Sequence, residues 1–223
     1  MVRRSVHHAA LLWLVGSVQF VAGMVAVQLA WKGPPTYSLS SNYISDLGNT
    51  GCGPWPDASS HIVCSPWHSV FNASIIVLGL CIVLGTLLIR TGFPPRRSSK
   101  VGLVLIAIAA VGSISVGLSP ENVRTAVHSA SALVAFLAGN LSLVVLGVAM
   151  FRDTRWDGFR AYSVFSGLIG LVATFLFLRG IYLGLGVGGM ERLIVAPLLL
   201  WLVVVSIHLL RIPQYAPRAI PGG

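Results

Sequence analysis

An all-α fold, a polytopic membrane bundle of six transmembrane helices, is what this sequence predicts, and three observations predict it. Apolar residues make up 55% of the 223-residue chain and charged residues only 9%, against about a quarter charged in a soluble domain. Mean hydropathy is +0.84. The apolar residues fall into six long runs almost free of charge, and in hydrocarbon only a helix or a closed barrel satisfies its own backbone.

The first span is expected at about 10–31. Its apolar core is about twice the length of a secretory signal core, so it reads as a retained anchor. The connection that follows, 32–66, is the one long one, and it holds the polar stretch SNYISDLGNTGCGPWP (41–56). A loop of that length in a compact protein is a candidate for function. The second span, 67–89, is preceded by Ser65-Pro66, an N-cap residue followed by a first-turn proline. TGFPPRRSSK (91–100) is a short turn before the third span, 101–118. Ser119-Pro120 repeats the capping signal before the fourth span, 122–151. RDTRWDGFR (152–160) leads to the fifth, 160–179. GLGVGG (184–189) has no strand before it, so it reads as a turn rather than a nucleotide loop. The sixth span is expected at 191–210. Residues 1–212 form one domain, and the Pro- and Gly-rich tail 213–223 is expected to be disordered. Gly139, Gly167 and Gly170 provide surfaces for close helix packing, and most tryptophans sit near span ends as interfacial anchors do.

Orientation follows from the basic residues. With both termini cytoplasmic, eleven Lys and Arg lie inside and only Lys32, Arg124, Arg179 and Arg192 outside. The net charge of +9 is then mostly topology, and nucleic acid is not an expected partner. Membrane lipids are, with the chain in the cell membrane. The long loop faces out, where Cys52 and Cys64 could pair or stay as free thiols.

Apart from Asp153 and Asp157, every acid falls on the outer side: Asp46, Asp57, Glu121 and Glu191. His68 and Asn72 share one helical face, as do Glu121, Arg124 and His128. Polar side chains at membrane depth cost several kcal/mol and mark cavities or function. The second, fourth and sixth helices begin on this side and turn their positive dipole ends outward. The expected site is an outward-facing pocket with Arg124 and Arg192 at its rim, suited to an anionic lipid head group or a metal such as zinc. In it Asp46 or Glu121 would act as general base, and His68 and His128 as acid–base groups or, with Asp46, as metal ligands. Asn72, Arg124, Glu191 and Arg192 would bind. Plainer roles stand beside these: an interfacial pair for Glu191–Arg192, a dipole partner for Glu121, snorkelling for His68, and interhelical bonds for His128 and Asn72. Asn140 reads as helix glue, and His61 has no assigned partner. The loop is expected to fold over the bundle mouth and aim Asp46 at His68 and His128.

NYISDLG (42–48), WHSVFN (67–72), SPENVRTAVHSASALVAFLAGNLSLVVLG (119–147) and GGMERLIVAPLLLW (188–201) resemble, in order, the bacterial and archaeal membrane family known as domain of unknown function nine-nine-eight. That resemblance covers nearly the whole chain and implies a six-helix membrane fold. It marks Asp46, His68, Asn72, Glu121, His128, Glu191 and Arg192 as motif positions, with no activity attached. A more distant likeness is to the Frag/Sfk membrane proteins. The three-histidine zinc hydrolases of the alkaline-ceramidase group are similar in outline, but here His208 falls at the opposite end from His68 and His128. Two function classes stay open: a membrane enzyme acting on a lipid-linked substrate, and a non-catalytic lipid-binding, transport or assembly protein.

Overall fold

Helices occupy all six apolar runs: α1 (Val2–Ala30), α2 (His68–Leu88), α3 (Arg97–Leu118), α4 (Thr125–Ala149), α5 (Phe159–Leu178) and α6 (Gly186–Arg211). Each is long and apolar enough to cross a membrane. The structure, a computed structural model, describes residues 2–31, 36–55, 61–151 and 153–212. Lys32, Asp57 and the tail 213–223 lie outside the described residues.

Helices adjacent in sequence pack side by side, α1 also meets α6, and α4 touches α6 across the ring so formed. Small residues let the backbones approach. A Cβ on Gly16 of α1 would stand 2.6 Å from Cys81 Cβ, and one on Gly117 of α3 would stand 2.7 Å from the Asn72 carbonyl. On α5, Gly167 lies against the Asn140 carbonyl at 2.5 Å by the same measure. Without a hydrophobic drive between helices in lipid, such contacts hold a bundle together by dispersion. Asn140 does serve as glue: its Nδ2 donates to Phe136 O on its own helix and to Ile194 O of α6.

Three details depart from expectation. Ser65 and Ser119 do not cap their helices; the caps are Trp67 and Arg124, neither with a side-chain bond. Ser65 Oγ instead donates to Leu47 O of the long loop at 2.7 Å, and Glu121 sits in the turn before α4 rather than within it. The second half of GLGVGG opens α6 instead of forming a turn. Glycine is needed there for close approach, because a Cβ on Gly188 would lie 2.0 Å from the loop carbonyl of Asn42. Finally, Trp13, Trp156 and Trp201 are not interfacial anchors but fully buried. Phe93 lies nearly parallel to Trp156 at 5.0 Å and to Trp201 at 6.2 Å, forming an aromatic plug at the end of the bundle away from the long loop.

Candidate functional site

The long loop is the part that makes a site, and its own sequence explains its shape. Cys52 and Cys64 form a disulfide across a two-stranded antiparallel ribbon, β1 (Cys52–Pro54) and β2 (Ile62–Cys64), in which they are directly paired. Before the ribbon, Ser45–Gly48 makes a single 3-10 turn that buries Leu47 completely. Asn72 of α2 donates to Gly48 O at 2.9 Å. Gly48 is required at this point, since a Cβ would lie 2.3 Å from Asn72 Oδ1.

From α6, Arg192 reaches over the same segment. Its Nη1 donates to Leu39 O at 3.1 Å, Asn42 O at 3.0 Å and Gly188 O at 2.8 Å, and its Nη2 donates to the Tyr37 hydroxyl. The guanidinium also lies over the Tyr37 ring, 5.6 Å from its centre. Burial keeps the Tyr37 phenol protonated well above its ordinary range despite that cation. A planar five-donor fork suits several fixed carbonyls at once. Arg192 is therefore a clamp that ties the loop to α6, and it is not left open for a phosphate.

Beneath the clamp, three carboxyl groups meet. Asp46 is wholly inaccessible, and Glu121 and Glu191 are 5% and 7% exposed. Asp46 Oδ2 accepts from Asn42 Nδ2 at 2.8 Å and from the Tyr43 amide at 3.0 Å, and His61 Nε2 stands 2.8 Å from it. No nitrogen or hydroxyl donor reaches Asp46 Oδ1 among the described residues, and the Glu121 carboxyl lies within hydrogen-bonding reach of the Asp46 side chain. Burial, then the Glu121 charge, push the Asp46 acid up to about 9, against the lowering effect of the Asn42 bond. At neutral pH the Asp46 carboxyl thus keeps its proton, and that proton is the donor that a bond to Glu121 requires. Glu121 Oε1 also accepts from Asn49 Nδ2 at 3.2 Å. Glu191 accepts from the Ile44 amide through Oε2.

Two adjoining cavities begin at this cluster. The first, of about 460 Å³, has Glu121, Glu191, His128, Tyr43 and Ser45 at its head, and α4 and α5 side chains such as Leu133 and Phe177 along its walls. Its wall residues Ser129, Ala130 and Leu178 are exposed on the outside of the bundle, so the space reaches the lipid-facing surface between α4 and α5. The second, of about 90 Å³, lies deeper among α1, α2, α3, α4 and α6 and is almost wholly apolar. Ser45, His128, Ala132, Phe136 and Glu191 line both.

The expected site residues are thus gathered, with changes of role. His128 is 8% exposed; its Nδ1 pairs with Ser119 O at 2.8 Å, which leaves Nε2 toward the cavities. A carbonyl partner requires the proton on Nδ1, so neutral His128 presents an acceptor. The imidazole that meets Asp46 is His61, not His68 or His128; His68 is turned to Ser65 O at 3.0 Å. The three proposed zinc ligands, His68, His128 and Asp46, form no common set. Among the described residues no group of three His, Cys, Asp or Glu side chains converges on a metal position. Asn72 positions the loop backbone, and Arg124 is exposed and lines neither cavity. His61 was the residue that sequence reasoning missed. Its signal lay in the ribbon: the disulfide at Cys64 and the pairing of Trp55 N with His61 O at 2.8 Å bring it back onto the turn.

No curated protein and no solved structure matches this chain. A family model does match, over residues 14–208, which take in Asp46, Glu121, His128 and Glu191 together with α2 to α5 and the greater part of α1 and α6. The chain belongs to that family, DUF998, described as a protein of unknown function.

Proposed function

We propose that this protein binds an amphiphile from the membrane, with the head group against Glu121, His128 and Glu191 and the apolar tail between α4 and α5. The observation that carries this reading is one continuous cavity with carboxyls and an imidazole at its head, apolar walls, and an opening on the lipid-facing side. The positive-inside pattern puts that head at the outer face, so the ligand comes from the outer leaflet. A metal centre has less support, because the imidazoles and carboxylates are paired with backbone and with one another rather than converging. Catalysis would fall to Glu121, Glu191 or His128, since Asp46 has no surface to offer a substrate.

The test is a block. Ala132 lines both cavities, so Ala132→Trp fills the junction. Wild type purified in mild detergent should retain lipid or added amphiphile by native mass spectrometry, and the monodisperse variant should not. Equal retention by both would remove the cavity as the binding site.

A further inference from the structure

The cavity head is built from acids without a matching cation. Asp46, Glu121 and Glu191 come together from the loop, the α3–α4 connection and α6. The other ionisable or charged groups that face them are Tyr37, Tyr43 and His61 of the loop, His128 of α4 and Arg192 of α6. Arg192 is spent on three carbonyls and a phenol, and among the described residues neither cavity has an Arg or Lys in its lining. Glu191 adds an independent sign of a ligand. It is nine-tenths buried and lines both cavities, only its Oε2 is bonded, to the Ile44 amide, and Oε1 has no hydrogen-bond partner among the described residues. Among the described residues His128 Nε2 has no hydrogen-bond partner, and it lies in the same space. The charged groups at the cavity head are therefore carboxyls, and its polar neighbours Tyr43, Ser45 and Thr125 bring hydroxyls but no positive charge. An anionic head group would meet two carboxyls and, among the described lining residues, no cation.

We infer that the site is selective for amphiphiles with a positively charged head group, an amine or quaternary ammonium, and that binding such a cation expels the proton that Asp46 holds beside Glu121. This rests on the amphiphile-binding reading above. With the cavity empty, buried carboxyls within reach of one another cannot all ionise, because the charged forms repel and lack water. The proton on Asp46 relieves that repulsion. A cation placed against Glu121 and Glu191 supplies the compensating charge instead, so the Asp46 O–H bond breaks, Asp46 becomes a carboxylate, and the proton leaves to bulk water. No electron transfer or co-reactant is involved. Protons and cation then compete for one site.

The experiment uses full-length protein in nanodiscs of an uncharged digalactosyl lipid, which has no ammonium group, with empty nanodiscs as background. Dodecyltrimethylammonium, dodecanol and dodecyl phosphate are each titrated by calorimetry at pH 6, 7 and 8, in two buffers of different protonation enthalpy. The cation should bind at least tenfold more tightly than the other two, release about one proton, and gain up to about tenfold in affinity per pH unit. Glu121→Gln, which keeps the acceptor for Asn49, should weaken cation binding and abolish proton release. Glu191→Gln, checked for monodispersity, should weaken it without abolishing release. Preference for dodecanol or dodecyl phosphate, or cation binding without proton release, would overturn this inference while leaving amphiphile binding intact. Binding of none of the three probes would overturn both.

Discussion

Replacing Asp46 by Asn tests whether the centre of this network carries a proton. In the folded protein the acid is raised from an ordinary 3.8 to about 9, with burial as the first cause and the Glu121 charge as the second. The sign follows from linkage: a folded-state value above the unfolded one stabilises the fold fully below about pH 4, and that contribution is lost as pH rises towards 9. Each pH unit inside that window costs up to ~1.4 kcal/mol. From pH 6 to pH 8 the loss is up to ~3 kcal/mol, or a melting temperature lower by roughly 6–10 °C for a chain of this size. Asn mimics the protonated acid. Its Oδ1 can accept from Asn42 Nδ2 and the Tyr43 amide, and its Nδ2 can donate to Glu121. Asp46→Asn should therefore flatten the pH dependence and melt higher than wild type at pH 8. Asp46→Ala strands two buried donors and should be less stable at every pH, by about 1–3 kcal/mol for each. Detergent-solubilised melting followed by tryptophan fluorescence from pH 5 to 9 reads all three proteins. A wild-type slope that persists undiminished in Asp46→Asn would show that Asp46 is not the titrating group.

Arg192→Ala should lower stability by about 2–4 kcal/mol, since charge-assisted bonds to loop carbonyls are lost, and Arg192→Lys should recover only part of it because an ammonium lacks the planar fork; proteolysis within the long loop should quicken in the same order. Gly170→Ala puts a Cβ 1.9 Å from Asn140 Oδ1 and should cost about 1–3 kcal/mol by overpacking. Adding Asn140→Ala should relieve that clash, so a purely additive double mutant in thermal melts would contradict the contact. For topology, cysteines placed at the exposed positions Thr50 and Lys100 should react with a membrane-impermeant maleimide from outside and from inside respectively; the reverse pattern would invert the protein and move the site to the cytoplasmic face.

Six helices were legible in the sequence because residence in hydrocarbon is a demand on each residue and each run, independent of what lies beside it. The observed spans differ from the expected ones mainly at their ends, where α1 and α6 begin earlier and α4 later. His128 and Glu191 were legible for the same reason, since a polar side chain in an apolar run stands out, whereas His61, in the polar loop, was not. The partners were not legible either. Asp46 pairs with His61 rather than His68 or His128, and Arg192 serves carbonyls of residues 39 and 42, some 150 positions away. Those choices depend on where a Gly- and Pro-broken loop comes to rest. That place is decided by a disulfide ribbon, a glycine at 48 with room for Asn72 alone, and a glycine at 188 that lets the loop backbone touch α6. Hydropathy is a one-dimensional property of the chain, whereas the pairing of buried charges depends on distances of a few ångströms between segments, and only tertiary packing sets those.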